Sequence, residues 1–310
     1  DLAEIMDTSD EWIQQRSGIV TRHYVDEGVS TSDLAMHASQ EALQRAGMEA
    51  SDLDMIVVAS FTSDHFFPGV SALLQRKLGC ELTPAMDVKC QCTGFLYALK
   101  TAHAFVASGM YERVLVVGAE VHSNGLEFSD RGRDTAVLFG DGAGALILGR
   151  ADAGEDQILD VQLHAQGEHA ERLWMEAPGV AYKPLVDAQM IEDGLMFPKM
   201  DGRFVFKHAV TRMPEVLLSS LQRAGHDLAD VDHFLFHQAN LRINQMVAHR
   251  LKIDGAKVPS NIERFGNTSA ATIPTLLAEC VRDERIQRGD LIAMAGFGSG
   301  FTWGGAVLRF

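Results

Sequence analysis

The sequence predicts a layered α/β protein made of two pseudo-symmetric halves. Three observations carry that expectation. An internal repeat relates LQRAGMEASDLDMIVVA, residues 43–59, to LQRAGHDLADVDHFLFH, residues 221–237, at an offset of 178. Helical segments of about 15 residues alternate with short apolar runs along the whole chain. Those runs (MIVVAS, VLVVGAE, ALILGR, HFLFHQ and LIAMAG) are apolar throughout rather than alternating, as expected of strands with both faces covered by helices.

Each copy of the repeat starts with the end of an amphipathic helix, stopped by Arg-Ala-Gly, and continues through an acidic turn into an apolar strand. AMDVK reads as a further strand, and TGFLYALKTAHAFVASG as a helix with Phe95, Leu96, Leu99, Ala102, Phe105 and Val106 on one face. RVLVVGAE (113–120) is echoed by GDLIAMAGFG (289–298), and the helix after Cys92 by SAATIPTLLAECVRD (269–283). The halves are assigned to residues 1–152 and 153–310, joined around 150–160 without a Pro-, Gly- or Ser-rich linker. The offset takes Cys92 to position 270, inside GNTSAAT, so the loops at Cys92 and Asn267 are expected to face each other. Ligands of α/β folds gather at such strand ends.

Composition narrows the function. The 310 residues carry a formal charge of −15, which disfavours general nucleic-acid binding, since that depends on neutralising phosphates. No apolar run approaches the roughly 20 residues needed to span a bilayer, so no membrane association is expected. The opening DLAEIMDTSDEW is acidic and unlike a signal peptide. Four cysteines (80, 90, 92 and 280) without framework spacing fit free thiols in the cytoplasm.

Cys92 is expected at a strand-to-helix junction, where the helix dipole would lower its pKa and favour the nucleophilic thiolate. Cys90, two residues earlier, reads as a packing residue. His237 closes the strand HFLFH, a position suited to acid–base work or to hydrogen-bond donation. Asn267, after the flexible Gly266, is either a helix-capping Asx residue or part of a site. GDGAGA (140–145) and GFGSGF (296–301) lack the spacing of phosphate or dinucleotide loops, so their glycines are expected to permit close backbone approach. The cysteines lack the histidine partners of a zinc site, and no metal is expected.

Cys92, His237 and Asn267, in the contexts CTGF, HQANLRI and GNTSA, together resemble the β-ketoacyl-acyl-carrier-protein synthase III family of the thiolase fold. The resemblance runs from DTSDEWIQQRSGI through FFPGVSALLQRKLG, DVKCQCTGF and FGDGAGA to GFGSGFTWGGAVLRF. It implies an α-β-α-β-α layering, with Cys92 as the acyl-accepting nucleophile and Cys90 where the family has an inert residue. It also implies transfer from acyl-CoA and decarboxylative condensation with malonyl-acyl-carrier protein. In that scheme His237 and Asn267 stabilise the enolate, the backbone N–H groups of Cys92 and Ser299 hold the oxyanion, and Phe297 supplies apolar surroundings. By the same resemblance Trp12, Arg16, Arg131 and Gly202 would bind CoA, and Lys207, Arg242 and Arg250 would attract the acidic carrier protein. Phe67 would wall the acyl pocket of the neighbouring subunit in a homodimer. The implied chemistry uses no cofactor beyond its substrates.

Three departures from the family pattern stand out. The usual first strand would precede Asp1, which is expected to reflect trimming. Residues 298–300 read GSG where three glycines are common, and residues 173–202 form a longer, Met-rich segment. That segment is expected either to widen the acyl pocket for a primer longer than acetyl or to act as a surface lid. The competing readings are a thiolase-fold acyltransferase or ketosynthase of specialised metabolism with another acceptor, and a non-catalytic protein that binds acyl-CoA or carrier protein.

Overall fold

A computed structural model describes residues 2–152 and 157–310. The expected join at 152/153 therefore runs into residues outside the described set. Ten strands are seen among the described residues: β1 Met55–Ala59, β2 Ala85–Val88, β3 Arg113–Glu120, β4 Gly142–Gly149, β5 Ile158–Ala165, β6 Leu173–Met175, β7 Pro198–Met200, β8 His233–Phe236, β9 Leu291–Gly298 and β10 Thr302–Arg309. They form one sheet of order β2-β1-β3-β4, a second of order β5-β10-β9-β8, and the small pair β6-β7. In the first sheet β1 runs parallel to β2 and β3, and β4 is antiparallel to β3. The second sheet mirrors this, with β8 parallel to β9, and β10 antiparallel to both β9 and β5.

The continuous apolar runs are explained by packing on both faces. Met55, Val57 and Ala59 of β1 point into the central core, while Ile56 and Val58 point into a second core on the other face. β9 divides in the same way, with Ile292 and Met294 inward and Leu291, Ala293, Ala295 and Phe297 outward. Between the sheets lie two helices, Gly94–Ala107 and Thr272–Arg282. Helix Thr31–Ala46 with Val70–Lys77 covers the outside of the first sheet, and helix Gly202–Ala224 with Leu241–Leu251 covers the second. This is the five-layer α-β-α-β-α architecture of the thiolase-like fold.

The repeat is visible residue by residue. β3 and β9 keep the 178-residue offset at both ends, as do the 3₁₀ turns Gln91–Thr93 and Ser269–Ala271. Helices Thr31–Ala46 and Gly202–Ala224 both stop before a left-handed glycine, Gly47 at φ 64° and Gly225 at φ 76°, the Arg-Ala-Gly stops expected from the sequence. The two 3₁₀ turns meet at the middle of the molecule, where Gly118 of β3 is pressed against the Ser269–Ala271 turn. A Cβ at Gly118 would lie 2.3 Å from the Ala270 carbonyl oxygen.

Candidate active site

Cys92 sits in the 3₁₀ turn between β2 and the central helix Gly94–Ala107, 8% exposed. It forms the floor of a cavity of about 130 Å³ that His237, Asn267, Phe297 and Gly298 also line. Gly298 leaves the sulfur its place: a Cβ there would come within 2.4 Å of the Cys92 Cβ and 2.9 Å of Sγ. Ser269 Oγ donates to Cys92 Sγ at 3.6 Å, and the backbone N–H of Ser299 is directed at the same thiol.

One expectation is reversed here. Burial raises the Cys92 thiol above its ordinary pKa, and the carboxyl of Glu120 pushes in the same direction. The hydroxyl of Ser269 and the N–H groups of Ser299 and Cys92 oppose the rise without cancelling it. The shift is therefore upward, with desolvation of the buried sulfur as its main cause, where the sequence led to the expectation of a lowered pKa. Cys90 does not line the cavity; it is half-buried, and burial raises its thiol as well.

His237 follows β8 and is tied to β9 by its N–H to the Ala295 carbonyl, at 2.9 Å. Its Nδ1 lies 2.6 Å from Thr272 Oγ1, whereas its buried Nε2 has no hydrogen-bond partner. Burial lowers its pKa to about 3, so the ring is neutral near pH 7. Asn267 is bound into the other half through its backbone. Its N–H donates to Leu138 at 2.8 Å, and its carbonyl accepts from Gly140 at 3.1 Å. Its Oδ1 accepts from the Ser269 N–H at 2.9 Å, which leaves the amide NH₂ as the remaining donor end. Asn267 thus both accepts from the turn that follows it and lines the cavity.

The glycine-rich turns act as expected, by close approach. A Cβ on Gly140 would lie 2.4 Å from the Phe265 carbonyl, so GDGAGA lets the first half grip the Asn267 loop. Asp141 in that motif accepts from the backbone of Val25, His122 and Ser123. At the end of β3, Glu120 Oε2 accepts from Ser60, Phe61 and Thr62, while Oε1 is buried without a partner. Burial pushes this carboxyl up to about 8.

The outer residues divide. Trp12 and Arg16 lie beside the cavity mouth, since Asn240, which lines the cavity, donates to the Arg16 carbonyl at 3.0 Å. Gly202, at the start of the long outer helix, lines the cavity directly. Arg131 is not on Trp12. It pairs with Glu127 at 2.6 Å and donates to the Glu192 carbonyl at 2.7 Å. Arg133 takes that place, its guanidinium 5.0 Å from the Trp12 ring centroid, as is that of Arg16. The sequence reading passed over Arg133 in SDRGRD; its spacing to Arg131 gave no means of choosing between them. Lys207, Arg242 and Arg250 are exposed on the two helices outside the second sheet, with Arg250 also donating to the Val210 carbonyl. Phe67 is 79% exposed and does not reach this chain's cavity. Of residues 173–202, Leu173 of β6, Met200 of β7 and Gly202 border the cavity, while Val180 and Ile191 lie exposed on the surface.

Four more residues did not stand out in the sequence: Ser269 and Gly298 meet Cys92 across the two halves, while Thr272 and Glu120 find their partners within their own half but far along the chain. No group of three or more metal-ligating side chains occurs among the described residues, and no helix there is long and apolar enough to cross a membrane.

A thiol, an imidazole and an amide gathered on one buried cavity, in this five-layer fold, define the class of thiolase-fold condensing enzymes. The model of 3-oxoacyl-[acyl-carrier-protein (ACP)] synthase III matches residues 86–167, and that of its C-terminal part matches residues 221–310. Beta-ketoacyl-[acyl-carrier-protein] synthase III of Rhodospirillum rubrum is 45% identical over 99% of this chain and 93% of its own length. Its counterpart in Microcystis aeruginosa is 42% identical over 100% and 92%. The crystal structure of 3-oxoacyl-[acyl-carrier-protein] synthase III from Aquifex aeolicus superposes with a TM-score of 0.91 at 39% identity, covering 100% of this chain and 94% of that one. The priming β-ketosynthase of the R1128 polyketide pathway gives 0.90 at 31%, covering 100% and 90%. The chain belongs to the β-ketoacyl-[acyl-carrier-protein] synthase III family, whose members are condensing acyltransferases.

Proposed function

We propose that this protein transfers an acyl group from acyl-CoA to Cys92 and condenses it with malonyl-acyl-carrier protein, initiating fatty acid synthesis. The observation that carries the reading is the meeting of Cys92, the unpartnered Nε2 of His237 and Asn267 on one buried cavity.

In the first half-reaction the Cys92 sulfur attacks the thioester carbon. The oxyanion accepts from the backbone N–H groups of Cys92 and Ser299, which already converge on the sulfur. Collapse breaks the bond to the CoA sulfur, and the proton lost by Cys92 ends on the CoA thiol. In the second, the malonyl carboxylate leaves as CO₂ and its electron pair passes into the thioester enolate. His237 Nε2 and the Asn267 amide donate to the enolate oxygen. A neutral His237 suits this, because it can donate without becoming a counter-charge that must be discharged later. The enolate carbon then attacks acyl-Cys92, releasing the thiolate and a 3-oxoacyl-carrier protein. Phe297 keeps the departing carboxylate in apolar surroundings, which favours its loss.

Trp12 and Arg16, with Arg133, are proposed to hold the CoA nucleotide, and Gly202 to line the path of its arm. The exposed Lys207, Arg242 and Arg250 form the patch for the acidic carrier protein. The exposed Phe67, with Phe66 and Leu82, is proposed to be covered in a homodimer. Leu173 and Met200 carry the suggestion of a longer primer, because they are the side chains of that segment that line the cavity.

Intact-protein mass spectrometry after mixing with acyl-CoAs of increasing length tests the reading. A mass gain of one acyl group, lost in Cys92→Ser, is expected, and strict preference for acetyl-CoA would sink the longer-primer idea. The polyketide-priming relative supports a second reading, a ketosynthase of specialised metabolism. Condensation rates with the malonyl-loaded carrier protein of fatty acid synthesis, compared with a polyketide carrier protein, separate the two.

A further inference from the structure

Ser269 is 1% exposed, and its backbone is left-handed at φ 49°, a conformation disfavoured for a residue with a Cβ. It is the counterpart, at the 178-residue offset, of Gln91, which is also left-handed at φ 42°. The two 3₁₀ turns face each other, so Ser269 reaches from the second half to the nucleophile of the first. It is held in place from three directions. Its N–H donates to Asn267 Oδ1, its carbonyl accepts from both the N–H and the hydroxyl of Thr272, and its own hydroxyl donates to Cys92 Sγ at 3.6 Å. A strained residue over-determined in this way, with its one side-chain hydrogen bond on the reacting atom, is placed for chemistry.

We propose that Ser269 is a further catalytic residue, whose hydroxyl stabilises the Cys92 thiolate that attacks the acyl thioester. The proposal rests on the reading of Cys92 as acyl acceptor and deepens it. The buried sulfur is disfavoured as an anion by burial and by Glu120; the hydroxyl of Ser269 is the strongest opposing influence on it. The hydrogen bond is strongest while sulfur carries charge, and weakens once the Sγ–C bond has formed and CoA has left with the proton. Ser269 therefore acts in acylation rather than in decarboxylation. The titratable groups near the sulfur are Glu120 at the end of β3 and His237 at the end of β8; the turns at 269–271 and 298–299 present a hydroxyl and amides.

The test is the pH dependence of iodoacetamide alkylation of Cys92, followed on the Cys92 peptide by mass spectrometry, in Ser269→Ala and Ser269→Gly. Alanine keeps the strained Cβ, whereas glycine relieves it. In both variants the alkylation midpoint should rise by about one pH unit, with a roughly 10-fold loss of rate at neutral pH. Acyl-enzyme formation should fall in proportion, and decarboxylation by enzyme already acylated should change less than about 2-fold. Unchanged midpoints in both variants overturn the proposal, as does a shift confined to alanine, which would assign the effect to backbone strain. Because alkylation needs no acyl-CoA, a shifted midpoint in an enzyme that no acyl-CoA acylates would overturn the acyl-acceptor reading and leave the Ser269 contact standing.

Discussion

The hydroxyl of Thr272 lies 2.6 Å from Nδ1 of His237, at the first position of the central helix that follows the Asn267 loop. The Ser269 carbonyl accepts the Thr272 backbone N–H and also lies 3.0 Å from the hydroxyl, so this carbonyl and the ring compete for the single hydroxyl proton. When the hydroxyl proton goes to Nδ1, the ring proton sits on Nε2, the nitrogen without a partner, and makes it a donor into the cavity.

Replacing Thr272 with valine should therefore cost roughly 10- to 100-fold in CO₂ release from malonyl-carrier protein and much less in acyl-enzyme formation. Thr272→Ser should restore most of the rate. Equal losses in both half-reactions would argue for a purely structural role.

Gly298→Ala should displace the nucleophile without unfolding the chain, because the added Cβ meets Cys92 first. A roughly 100-fold smaller acylation rate is expected, with thermal unfolding still cooperative. Stopped-flow release of free CoA reads the first, and calorimetry the second. A normal acylation rate would show that the sulfur has room to move.

Three buried groups set a pH optimum for stability. His237 and His122 have folded pKa values lowered to about 3 and about 4 from 6.5, so the unfolded chain takes up protons more readily and stability falls as pH drops below 6.5. Glu120 is raised from 4.5 to about 8, so its contribution is full below 4.5 and is lost as pH climbs to 8. Two histidines outweigh one carboxyl on the acid side, which puts the combined maximum near pH 6.5. Melting temperature should fall by about 2 °C or more between pH 6.5 and 8, and Glu120→Gln should flatten that limb. A limb of the same slope in the variant would remove Glu120 from the account.

Trp12→Ala should raise KM for acyl-CoA several-fold, and Arg133→Ala should do the same by about 3- to 10-fold, since both lie in one stack. Arg131→Ala should have the smaller effect, because its guanidinium is occupied by Glu127 and the Glu192 carbonyl. Initial rates at varied acyl-CoA would reveal the order, and a larger effect at Arg131 would reverse the assignment.

The fold was legible in the chain where the repeat and the motifs constrained it. The two pseudo-symmetric halves followed from the repeat and from apolar strands that alternate with helices, the five layers from the family resemblance, and the offset placed the Cys92 and Asn267 turns face to face. Cys92, His237 and Asn267 were legible because strand ends and helix starts hold them. The direction of the Cys92 pKa shift was not, since burial of the sulfur depends on residues more than a hundred positions away, such as Ser269 and Gly298. Arg133 was missed for a related reason. Which of two arginines in SDRGRD meets Trp12 depends on how the 128–133 turn packs, and neighbouring residues say nothing about that.

Asn267 is clasped between Leu138 and Gly140, so the amide of one half is held by the backbone of the other. Turnover is consequently a readout of assembly. A chain severed between β4 and β5 and expressed as two fragments would be silent until the pieces found each other, and the first product released would mark their reunion.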